Sequence, residues 1–136
     1  MRTALLAVAL LLEACGGRDS KPVESLSGGK DTSTFVLSSL AGTRDGDKLQ
    51  ARAVFSGAGS ESIAMDLRFG IGVPTHLESG TWTEGGMTGT VRERSVTFLG
   101  GQSGPPSLGG KFDLLGSDGT ARYRVTIPVQ ELKNKL

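Results

Sequence analysis

The chain has 136 residues, 15 Lys and Arg against 14 Asp and Glu, and a net charge of +1. Near-neutral balance without a clustered basic excess counts against a dedicated nucleic-acid binder. Aromatic residues make up only 5%, too few for the girdles of an integral outer-membrane barrel, while 21 glycines and many turn signals favour an all-β domain over disorder.

The chain opens with Arg2 as a positive n-region and an apolar run from Ala4 to Leu12, with the small residue Ala14 before the single cysteine, Cys15. The run is short of the roughly 20 residues that a helix needs to cross a bilayer. Leu12-Glu13-Ala14-Cys15 resembles the lipobox of bacterial lipoprotein signal peptides, with Glu13 departing from the usual uncharged residue at that position. The resemblance covers residues 1–15 and implies a signal peptide over 1–14. It further implies a diacylglyceryl thioether on the Cys15 sulfur, cleavage before Cys15 and acylation of the new amino terminus. By the same resemblance Gly16, standing where Asp favours inner-membrane retention, points to the outer membrane of the bacterial envelope. With no second cysteine for a disulfide, an anchoring role also resolves the position of a free thiol in an oxidising compartment.

Residues 15–32 are rich in Gly, Ser and charge and lack periodicity. They are expected to form a flexible tether with a reach of about 20–25 Å. The domain is expected over 33–131, within the size that supports one core. Phe35 to Leu40 suits a strand, followed by Thr43-Arg44-Asp45-Gly46-Asp47, whose Asp-Gly signals a hairpin turn. Lys48 to Phe55 and Ser62 to Phe69 alternate, the second placing Ile63, Met65, Leu67 and Phe69 on one face. Residues 70–80 are expected as a loop before Thr81-Trp82-Thr83. Gly85-Gly86 then precedes a strand from Thr88 to Leu99, and residues 100–110 read as a long loop. Lys111 to Leu115 and Gly119 to Val129 form a last hairpin about Ser117-Asp118-Gly119, and 132–136 is a charged tail. The predicted fold is all-β: a small antiparallel β-sandwich or barrel of about seven strands behind a flexible N-terminal tether. Phe55, Met65, Leu67, Phe69, Phe112, Tyr123 and Val125 are expected to face its core.

Motifs for catalysis are missing. No Gly-x-Ser-x-Gly elbow, phosphate-binding loop or dinucleotide fingerprint occurs, and His76 is the only histidine. Asp45-Gly46-Asp47 begins like a calcium loop, but Leu49 stands at its fifth position. No enzyme activity, cofactor or metal is therefore expected. Two features invite a binding role. Arg52, Arg68, Arg92, Arg94, Arg122 and Arg124 share a sheet's outer face if the alternation holds, either as a solvated surface balanced by Asp66, Glu93 and Asp113 or as an anion-binding patch in which Arg122 and Arg124 touch the ligand. Trp82 is either part of the core or a stacking platform for a sugar. The expected function is a non-enzymatic envelope lipoprotein, held to the membrane through Cys15, whose β-domain binds or supports another envelope protein or polymer. The alternative is a module for a saccharide or small apolar ligand.

Overall fold

A computed structural model describes residues 22–26, 32–72, 74–100 and 106–133. Cys15 and the segment 1–14 lie outside these residues, as do 27–31, 101–105 and 134–136. Eight strands form one antiparallel sheet: β1 (Val23–Ser25), β2 (Val36–Asp45), β3 (Lys48–Ser56), β4 (Ser62–Gly70), β5 (His76–Glu84), β6 (Met87–Leu99), β7 (Ser107–Leu115) and β8 (Ala121–Glu131). Strands β2 to β8 follow one another as a meander, and β1 adds beside β8. The all-β expectation holds, as a single curled sheet and not as two stacked ones.

Period-two burial drives the curl. In β3 Leu49, Ala51, Ala53 and Phe55 are buried while Lys48, Gln50 and Arg52 are exposed. In β4 Ile63, Met65, Leu67 and Phe69 are buried, and β8 contributes Tyr123, Val125 and Ile127. A sheet with one apolar face hides it by bending around it. All seven residues expected in the core are there, joined by Trp82, Phe35, Leu108 and Leu114. Phe69 meets Phe112 edge-on, with ring centroids 6.1 Å apart.

Closure comes from the chain end. Six antiparallel steps separate β2 from β8, so these two strands run in the same direction. Residues just after β8 accordingly reach β2 in parallel: Gly42 N donates to Lys133 O at 2.8 Å and Lys133 N donates to Leu40 O at 3.2 Å. Leu132, only 4% exposed, packs against Gly42 as part of this clasp.

Several boundaries differ from the sequence expectation, beginning with β2, which runs on past Leu40 to Asp45. Val23–Ser25, placed in the tether, is strand β1: Val23 is fully buried and pairs with Val125. Residues 70–80 are not all loop, because β5 begins at His76. Strand β7 starts at Ser107, inside the segment read as a long loop. There Gly109 lies so close to β8 that an added Cβ would sit 2.7 Å from the Val129 Cα, so the glycine marks a tight crossing. Leu132 and Lys133, assigned to the tail, belong to the clasp.

Candidate functional site

On the outer face of β6, β7 and β8, Arg92, Asp113 and Arg124 stand side by side, because the register pairs Asp113 with Arg92 on one side and Arg124 on the other. A β-bulge between Glu93 and Ser95 makes Arg94 the extra residue of β6 and brings its side chain to the same carboxylate. Asp113 Oδ2 accepts from Arg92 Nη2 at 2.7 Å and Arg94 Nη1 at 3.2 Å, and Oδ1 accepts from Arg124 Nε at 3.1 Å. The three guanidiniums cover the carboxylate so fully that its side chain is 1% exposed, although it points away from the core. Their own side chains remain 55%, 44% and 32% exposed. Burial works to raise the Asp113 pKa, but the bonds from Arg92, Arg124 and Arg94 outweigh it and hold the carboxyl below its ordinary value. Three cations thus share one anion.

The remaining arginines fall elsewhere. Arg52 Nη1 contacts both oxygens of Asp66, at 2.7 and 2.9 Å, as a self-neutralised pair. Arg68 lines a shallow groove of about 390 Å³ with Gln50, Asp66, Ser79, Thr81 and Thr90. Arg122, expected beside Arg124, is instead the extra residue of a bulge where Leu114 pairs with Tyr123 and Leu115 with Ala121. Its guanidinium packs over the Gly116 turn, and its buried Nε finds no hydrogen-bond partner among the described residues. Glu93 forms no ion pair with these arginines among the described residues, and its Oε1 accepts from the Leu77 N–H at 2.6 Å. That bond ties β5 to β6 beyond Thr81 and Thr90, where their ladder ends.

Trp82 belongs to the core. It is fully buried, donates from Nε1 to the Leu115 carbonyl at 2.8 Å and stands edge-on to Tyr123, so neither ring face is open to a sugar. Opposite it, Gly89 is required: an added Cβ would overlap the Leu115 carbonyl oxygen and lie 2.7 Å from Trp82 Nε1. Beside it the Tyr123 hydroxyl donates to Glu84 Oε1 at 2.7 Å, and burial followed by that bond raises the Tyr123 pKa above its usual value. Among the described residues no three His, Cys, Asp or Glu side chains come together as metal ligands.

Comparison with known protein families, curated proteins and solved structures finds no match to this chain.

Proposed function

We propose that this protein is a membrane-anchored lipoprotein of the bacterial envelope whose non-enzymatic β-domain binds or supports another envelope component through its outer surface. The anchor rests on Leu12-Glu13-Ala14-Cys15, with the Cys15 sulfur carrying a diacylglyceryl group and Gly16 favouring the outer membrane. Two or more acyl chains give stable anchoring, whereas one chain gives only marginal, reversible attachment.

The observation that carries the binding half is the filled interior. Trp82, Phe35, Phe55, Phe69 and Phe112 are all fully buried inside the curled sheet. Recognition therefore falls to the outer face, where the Asp113 cluster leaves uncompensated positive charge. A small apolar ligand held inside the sheet has no support in this packing. The groove lined by Gln50, Arg68, Ser79, Thr81 and Thr90 favours one second reading, a saccharide bound by hydroxyl and guanidinium donors.

Crosslinking in cells separates the two. A discrete adduct with an envelope protein or polymer, lost when Arg92 and Arg124 are both replaced by Gln, supports the first reading. Absence of any adduct, together with saccharide binding that Arg68→Ala abolishes, replaces it with the second. The anchor is tested apart from both: wild-type chain is expected in the membrane fraction and Cys15→Ser outside it, and equal partitioning would contradict it.

A further inference from the structure

We propose that Arg92, Arg94 and Arg124, pinned over the Asp113 carboxylate, form a binding site for a phosphoryl group. One carboxylate and three guanidiniums leave a local charge of +2. One well-placed arginine suffices to neutralise an aspartate, as Arg52 does for Asp66. The two further cations brought to the same point repel each other, and a second anion joining the cluster would relieve that repulsion. A phosphate monoester carries a charge of about −1.5 to −2 near neutral pH and three acceptor oxygens, matching both the surplus charge and the number of guanidiniums.

The donors are available. Each guanidinium has five N–H groups, and each gives a single nitrogen to Asp113. The planar forks suit phosphate oxygens, often two at a time. Asp113 also fixes the three side chains before any ligand arrives, which lowers the ordering cost of binding. On the rim stand Lys111, next to Asp113 on the outer face of β7, and Glu24, paired with Arg124 from β1. This site rests on the reading of the outer face as the recognition surface and is independent of the anchor.

The full chain carrying Cys15→Ser, so that no acyl chain holds it on lipid, is titrated with inorganic phosphate at constant ionic strength, with chloride as the reference anion. Arginine Nε–H resonances report occupancy. The same protein is mixed with vesicles of phosphatidylcholine, with and without phosphatidic acid. A saturable response to inorganic phosphate assigns a soluble phosphoryl ligand. Retention only on vesicles with phosphatidic acid assigns a lipid headgroup. In either arm Arg94→Gln is expected to weaken binding at least fivefold with little change in the melting temperature, Arg94→Lys to recover part of it, and Arg52→Gln to bind as the unsubstituted protein does. Arg92→Gln serves the same purpose should Arg94→Gln fail to fold. No saturable response to either probe, or unchanged binding by a folded Arg94→Gln, overturns the site. Neither result bears on the anchor, which the Cys15 fractionation decides separately.

Discussion

Replacing Asp113 with Asn removes the charge that three arginines share while keeping the side chain's shape. Exposed ion pairs are worth about 0.2–1 kcal/mol each, and breaking a buried one costs about 3–5 kcal/mol. Asp113 is 1% exposed, but its partners are 32–55% exposed, so water screens the cations left behind. The structure therefore places the loss between these limits, at about 2–3 kcal/mol. With an unfolding entropy of about 2.1 cal/mol/K per residue over roughly 100 ordered residues, the midpoint should fall by about 10–15 °C. Thermal unfolding followed by circular dichroism reads this directly. The pH dependence supplies a second check. The Asp113 pKa is lowered in the folded state, so its contribution is present above the unfolded carboxyl pKa of about 3.9 and is lost as pH falls through the folded value. The gap between wild type and Asp113→Asn should be widest near neutral pH and close in acid. An unchanged midpoint at neutral pH, or a gap that persists in strong acid, would refute the argument that the β7 carboxylate holds the arginines of β6 and β8 together.

Three further outcomes follow from the core. Phe69→Ala should cost about 3–5 kcal/mol, because the ring is fully buried and packed edge-on against Phe112; a double-mutant cycle with Phe112→Ala should show coupling, and strict additivity would contradict the contact. Gly89→Ala should destabilise by about 1–3 kcal/mol or more through overpacking and shift the fluorescence of the single tryptophan, Trp82; unperturbed emission would place the indole elsewhere. Tyr123 is the only tyrosine, so phenolate absorbance reports it alone. Its folded pKa is raised, so stability should decline as pH climbs past about 10, where the unfolded phenol ionises. Phenolate should appear only with unfolding, and its appearance in the native state near pH 10 would contradict the burial.

Strands with unbroken alternation were legible from residues alone. Leu49 to Phe55 and Ile63 to Phe69 carry their inward faces in the spacing of apolar side chains, and the Asp45-Gly46-Asp47 and Gly85-Gly86 breaks fall at two-residue turns. What escaped depends on partners distant in sequence. Val23-Glu24-Ser25 is too short to show a period and is a strand only because β8 presents it with a ladder. Gly109 and Gly110 read as loop by composition, yet the approach of Val129 to the first and of the Ser95 carbonyl to the second makes glycine a requirement inside β7. Trp82 between two threonines fits either face, and parity with Met65 across β4 decides for the core.

The site was half legible in the same way. Six arginines and three carboxylates are visible as a collection, but which of them meet is set by register. The pairing of Asp113 with both Arg92 and Arg124 follows from strand offsets that no local pattern encodes. Bulges decide the rest, carrying Arg94 into the cluster and Arg122 out of it. A shift of one residue in either strand would reverse the inward and outward faces.

The most direct measurement of the central claim is the intact mass of the wild-type protein extracted from bacterial membranes. A chain beginning at Cys15 and heavier by a diacylglyceryl group, with or without an N-terminal acyl chain, is the predicted result. An unmodified chain recovered outside the membrane fraction would contradict the anchor and leave Cys15 without its assigned role.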